Sequence, residues 1–114
     1  MTQPLGQLAP TRLTLVGTNT GVINNDAASV ITQSLTTAAG TNVTITINSP
    51  QINSSSIVLA TIQNGSNNAG TPVLQLVTAS GSSQGVGSVA FLIANTHATN
   101  AFNGSLEINF VVLN

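Results

Sequence analysis

The sequence predicts an all-β protein, folded as an antiparallel sandwich or barrel of about seven or eight strands. Apolar and polar residues alternate along most of the chain, which is the period of a strand with one buried face. Clusters rich in Gly, Asn and Pro interrupt these runs every 10 to 15 residues or so, and such clusters turn the chain easily. No segment combines a helical period with the capping signals of a long helix.

Two runs show the alternation most clearly. Residues 42–48 place β-branched apolar side chains on one face and threonines on the other. Residues 106–112 alternate in the same way, and their phase puts Glu107 on the solvent face. The core residues predicted from these runs are Val43, Ile45, Ile47, Leu106, Ile108 and Phe110. The other predicted strands are residues 12–17, 29–36, 56–63, 73–78 and 88–94, with an eighth around residues 21–23.

The first eleven residues are predicted to form an extended N-terminal arm. Pro4, Gly6 and Pro10 are incompatible with a helix or a central strand in this segment. The rest of the 114-residue chain is long enough for one compact core. We therefore expect an arm at residues 1–11 and a single sandwich domain at residues 12–114.

Four residues of the arm and its junction are the predicted partner-binding residues. Leu5, Leu8 and Pro10 have apolar surface to bury, and the free amides of the arm can add to the edge of a neighbouring sheet. Arg12, the only basic residue other than histidine, is a bidentate anchor for a carboxylate across an interface. The alternative for Arg12 is a solvated strand end without a partner.

Charge and composition argue against most chemistry. Lys, Arg, Asp and Glu total 3% of residues, whereas a soluble domain has about a quarter. One basic residue and three phenylalanines provide neither a phosphate-binding patch nor a stacking surface, so nucleic acid is not an expected partner. The absence of cysteine excludes disulfides and thiolate metal sites.

The few ionisable residues predict neither catalysis nor cofactors. His97 is the only general base near neutral pH, and we expect it to be an ordinary residue of a loop at residues 95–100. Asp26 and Glu107 are the only acids, and one histidine with two scattered acids cannot supply a metal-ligand set. We therefore expect a protein that is not an enzyme and holds no metal or cofactor.

Hydropathy and the first residues bear on location. The mean hydropathy of +0.36 is high, but the uninterrupted apolar runs are about four residues long, as at residues 57–60, against the 18 or more of a spanning helix. The start of the sequence has no basic region followed by an apolar stretch, so no secretory signal is expected. These features predict a protein made in the cytoplasm that does not insert into a membrane.

Four segments carry a resemblance to a known group of proteins. They are residues 54–62 (SSSIVLATI), 70–73 (GTPV), 88–91 (SVAF) leading into Asn95 and Thr96, and 102–112 (FNGSLEINFVV). Together they resemble small β-sandwich virion proteins of tailed bacteriophages, above all the head decoration or cement proteins, with fibre-tip domains as near relatives. The resemblance covers roughly residues 28–114 and rests on patterns of turns and strands.

The resemblance implies a jelly-roll-like sandwich without catalytic residues, seated on the major capsid protein at the outer surface of a virion. It also implies a homo-oligomer, with a trimer favoured over a dimer. The alternative is a fibre, spike or tail-tip component that binds a host receptor, although exposed aromatic residues or a calcium cluster would then be expected. A subunit of a bacterial surface array or fibre is a further alternative, and it should carry a secretion signal.

Overall fold

A computed structural model describes residues 11–81 and 86–114. These residues form eight β-strands and no helix. The prediction of an all-β chain is therefore confirmed, including the short eighth strand near residue 21. The strands are β1 (Thr11–Thr14), β2 (Thr20–Val22), β3 (Ala27–Ile31), β4 (Asn42–Ser49), β5 (Ile57–Asn64), β6 (Pro72–Ser80), β7 (Gly87–Asn95) and β8 (Leu106–Leu113).

The strands form two four-stranded sheets. Sheet A has the order β1-β3-β8-β5, and sheet B has the order β2-β4-β7-β6. Four strand pairs are antiparallel, but β1 pairs with β3 and β2 with β4 in parallel. The prediction of a purely antiparallel arrangement is wrong for these two pairs, because the chain changes sheet after β1 and again after β2, so that β3 returns in the direction of β1. The jelly-roll connectivity implied by the resemblance is not confirmed by this strand order.

The two sheets pack face to face around one apolar core. The rings of Phe91 in β7 and Phe110 in β8 join the sheets, with their centroids 5.3 Å apart. Among the predicted core residues only Val43 is partly rather than fully buried, and it packs against the core. The predicted inward faces of β4 and β8 are thus confirmed. The large buried apolar residues of β4, β7 and β8 are Ile45, Ile47, Val89, Phe91, Ile93, Leu106, Ile108, Phe110 and Val112.

The predicted strand at residues 29–36 ends earlier than expected. β3 stops at Ile31, and beyond it Leu35 makes only an isolated bridge with Gly104. At Thr32 the side-chain hydroxyl accepts a hydrogen bond from the amide of Leu106 (2.9 Å) and donates one to the carbonyl of Gln33 (2.8 Å). Local bonds between side chain and backbone compete with the ladder of a sheet, which explains the early end.

One side of the sandwich is closed by its short edge strands. Gly21 of β2 lies directly under the side chains of Leu13 and Leu15, and a Cβ at this position would come within 2.7 and 2.8 Å of their Cδ2 atoms. The glycine therefore allows the edges of sheets A and B to meet on this side. We call it the β1–β2 side, formed by β1, β2 and the segment between them.

Candidate interaction surface

The predicted partner-binding residues fall into two groups. Leu5, Leu8 and Pro10 lie outside the described residues. Arg12 lies in β1 with its side chain 61% exposed, and its Nη2 is 3.1 Å from Oε1 of Glu107. The guanidinium therefore contacts a carboxylate of its own chain, and a role at an interface stays a prediction.

Glu107 is the centre of a polar group on the outer face of sheet A. The strand register places Ser29 and Gln63 on strands β3 and β5, on either side of β8. Ser29 Oγ donates to Glu107 Oε1 (2.7 Å), and Gln63 Nε2 donates to Oε2 (3.0 Å). These contacts leave the Glu107 side chain only 15% exposed, although it is on the outer face as predicted.

The surroundings of Glu107 favour its charged form. The hydrogen bond from Ser29 is the largest influence that lowers the pKa of Glu107, followed by the bond from Gln63, while the positive charge of Arg12 acts in the same direction. Partial desolvation opposes these effects. The carboxylate is thus stabilised by donors from the three other strands of sheet A, and these contacts link the strands on its outer face.

His97 lies in a loop, as predicted, and its imidazole closes that loop. Nδ1 accepts hydrogen bonds from the backbone amides of Thr99 (3.0 Å) and Asn100 (2.9 Å). The buried Asn95 fixes the base of the loop, since its Nδ2 donates to the carbonyls of Thr37 (3.0 Å) and Asn100 (2.9 Å). Nδ1 of His97 therefore already accepts two hydrogen bonds from its own loop.

Asp26 lies in the turn before β3, and its backbone carbonyl accepts a hydrogen bond from the amide of Val112 (2.7 Å). In residues 11–81 and 86–114 the ionisable residues form no group of three or more that could hold a metal ion.

Half of the large exposed apolar residues of the described ranges lie on the outer faces of two edge strands, β5 and β6. On sheet A, Ile57 and Leu59 of β5 are 59% and 55% exposed. The register sets Ile57 opposite Leu113, which is also exposed, so these residues form a continuous apolar patch. On sheet B, Leu76 of β6 is 56% exposed, and Val73, three residues earlier in the same strand, is 43% exposed.

The inner faces of the same two strands are also incompletely covered. β5 and β6 are neighbours across the two sheets and contain no buried residue, whereas β4, β7 and β8 each bury at least three. We call the surface formed by β5 and β6 the open side. Its inward apolar residues, all partly buried against the core, are Val58, Ala60, Ile62, Leu74, Val77 and Ala79.

The open side lacks most of the features that protect sheet edges. Neither β5 nor β6 contains a charged residue, although lysines and inward-pointing charges commonly prevent edge strands from pairing. β6 begins with Pro72 and has an irregular register between Leu74 and Leu76. β5 pairs with β8 in unbroken register over its whole length. The free edge of β5 is therefore the more regular of the two.

The prediction from sequence did not identify this surface. Period-two patterning assigns one face of each strand to the core, but residues 57–60 are apolar at every position. Such a run in a strand indicates that both faces are covered. That signal was available in the sequence, and only the strand order shows that β5 is an edge strand.

A smaller apolar area lies on the β1–β2 side. Val16, just after β1, and Val22, at the end of β2, are 84% and 63% exposed. The side chain of Asn25 donates a hydrogen bond to Oγ1 of Thr11, which brings the end of β2 close to the start of β1. Thr11, the first described residue, thus lies on the β1–β2 side.

Comparison with known proteins finds no match among family models, curated proteins or solved structures. The fold and the surface define the chain as a two-sheet, all-β protein with a mainly neutral surface and exposed aliphatic side chains. In the ranges that the structure describes, there is no apolar helix of membrane-spanning length.

Proposed function

We propose that the chain is a non-enzymatic virion structural protein that decorates and stabilises the outer surface of a bacteriophage capsid. The observation that carries this proposal is the set of aliphatic side chains exposed on a nearly uncharged surface, Val16 and Val22 on the β1–β2 side and Ile57, Leu59 and Leu76 on the open side. Contiguous exposed apolar surface on a small domain is typical of sites that bind other proteins. The resemblance to decoration proteins names the kind of assembly in which such a domain works.

The described ionisable groups support a role in contact rather than in chemistry. The charges of Arg12 and Glu107 compensate each other within sheet A, and the imidazole of His97 accepts bonds from its own loop. A surface with so little charge produces no strong repulsion between many copies crowded on a capsid. Attachment then depends on apolar burial and backbone hydrogen bonds.

We assign the contact with the major capsid protein to the N-terminal arm and the β1–β2 side. The arm supplies Leu5, Leu8 and Pro10, and it precedes β1 on the side of the domain that exposes Val16 and Val22. An extended segment adds main-chain hydrogen bonds when it pairs with the edge of a partner sheet. Arg12, at the junction, keeps 61% of its side chain exposed beside Glu107 and is the basic residue that could share its guanidinium with a carboxylate of the capsid.

The location of the protein on virions tests this function. Antibodies raised against the purified protein should label the heads of phage particles from the source culture when gold-labelled and viewed by electron microscopy. Labelling restricted to the tail tip would instead support a fibre, spike or tail-tip component that binds a host receptor. Purified particles without the chain, measured by mass spectrometry, would contradict both roles.

A further inference from the structure

We propose that the open side binds a second copy of this chain, with β5 pairing antiparallel to β5 of the partner copy around a twofold axis. The proposal concerns the free protein and does not depend on its binding to a capsid.

Burial shows that the open side is incompletely covered along two long strands. Inward residues such as Val58 and Ile62 are only partly buried, while their counterparts Ile108 and Ile45 in the central strands are fully buried. The outward residues Ile57 and Leu59 are more than half exposed. A partner strand paired with the free edge of β5 would cover the inward and the outward residues at the same time, because its own side chains would lie beside both faces of β5.

The geometry of β5 favours pairing with a copy of itself. Antiparallel pairing around a twofold axis places the same face of each strand on the same side, and the register that sets Leu59 opposite Leu59 brings the outward apolar residues of the two copies together. The two copies of sheet A would then form one eight-stranded sheet. β6 is less suited to this role, because Pro72 lacks an amide donor and its register is irregular near Leu74.

Size and charge identify the occupant as a second copy. Strands of 8 and 9 residues make the open side about 27–30 Å long. With two sheets about 10 Å apart and side chains on both outer faces, its area is roughly 600–700 Å², close to the 800 Å² or so per partner of a standard interface. A partner recognised by charge would find no charged residue on either strand.

The N-terminal arm is the other segment of the chain that could cover this surface. It joins sheet A at β1, and the order β1-β3-β8-β5 places that strand at the opposite edge from β5. The twofold pairing also selects a dimer over the trimer expected from the resemblance, because a cyclic trimer needs two different surfaces to meet.

Sedimentation equilibrium of the purified chain and two matched variants tests the proposal. Leu59→Lys places a charge in the centre of the proposed contact, twice in a symmetric dimer, and Val22→Lys places the same charge on an exposed valine of the β1–β2 side. We expect a wild-type dimer, a dissociation constant raised about tenfold or more by Leu59→Lys, and no change with Val22→Lys.

Thr61→Lys adds a charge on the same outer face of β5 without removing an apolar side chain, and it replaces Leu59→Lys if circular dichroism shows that the latter unfolds. A wild-type monomer or trimer would overturn the proposal, as would a dimer that withstands the β5 charge. A dimer that dissociates on deletion of residues 1–10 alone would show that the arm makes the contact.

Discussion

Phe110 is a single side chain on which both sheets depend. It lies in β8 of sheet A, is 5% exposed, and packs against Phe91 of sheet B. Since the core is built from the inner faces of only two sheets, no other layer can fill a space left at their centre.

Replacing Phe110 by alanine should therefore cost about 3–5 kcal/mol of unfolding free energy. The loss combines the transfer of the ring to water with the cavity that remains between the sheets. Urea unfolding followed by circular dichroism measures it. Leu113→Ala, in the same strand but on the exposed end of the outer patch, is the control and should change stability by no more than about 0.5 kcal/mol. A Phe110→Ala variant that melts within a degree or two of wild type would contradict the assigned core.

Asn95 is a residue type common in turns, yet its side chain is buried and links several segments of the chain. The sequence assigns it to the start of a loop, and it does end β7. Its side chain is nevertheless buried and bonds to Thr37, Thr71 and Asn100, which belong to three separate segments. The sequence alone does not identify these partners, because Thr37 is 58 residues from Asn95 and the two meet only in the folded chain.

At the scale of single strands, patterning predicted which face of a strand a residue lies on, but it did not predict which side chains surround that residue. Glu107 is on the outer face of β8, as its phase indicated, but Ser29 and Gln63 partly cover it. Whether an outward carboxylate meets water or donors depends on which strands flank its own. That order is decided by long-range pairing, which the local pattern does not encode.

Stability should depend on pH through Glu107. Its pKa is lowered in the folded state, so its contribution is present above the pKa of the unfolded chain and is lost as pH falls through the folded-state pKa. Glu107→Gln should therefore destabilise the protein at pH 7 and have a smaller effect at pH 3. Urea unfolding at pH 7, 5 and 3 gives the comparison.

Ser29→Ala provides an independent check on the same carboxylate. Removing the donor with the largest influence on the pKa of Glu107 should flatten the pH dependence of stability between pH 5 and 3 while Glu107 itself remains. Equal destabilisation by Glu107→Gln at pH 7 and pH 3 would show that the carboxylate contributes only through packing.

The whole molecule has two unlike sides. The β1–β2 side has short strands that meet around Gly21 and carries the start of the described chain, while the open side has two long strands with exposed apolar side chains on their outer faces. Under our proposals the first side binds the capsid and the second binds another copy. Separate surfaces allow one small domain to make both contacts at once.

Deleting residues 1–10 should release the protein from the capsid and leave the domain folded. The deletion stops before Thr11, the first residue of β1, which pairs with Ala28 of β3, so the sheet keeps its edge strand. Full-length protein should stay bound in salt well above about 0.5 M, because screening weakens only charge interactions. Co-sedimentation with stripped capsids measures both effects.

A truncated chain that binds as tightly as the full chain would place the capsid contact on the domain itself. Release of the full chain at moderate salt would show that Arg12 and the few other charges dominate attachment.

The sequence by itself determined the all-β class, the approximate strand positions and the inward faces of β4 and β8. Alternation in residues 42–48 and 106–112 is a local property. A strand with one buried face needs this alternation whichever strands lie beside it. Tertiary structure alone decided the parallel pairs, the position of β5 at an edge and the enclosure of Glu107. Each of these depends on which distant strands become neighbours, and many strand orders satisfy the same local pattern.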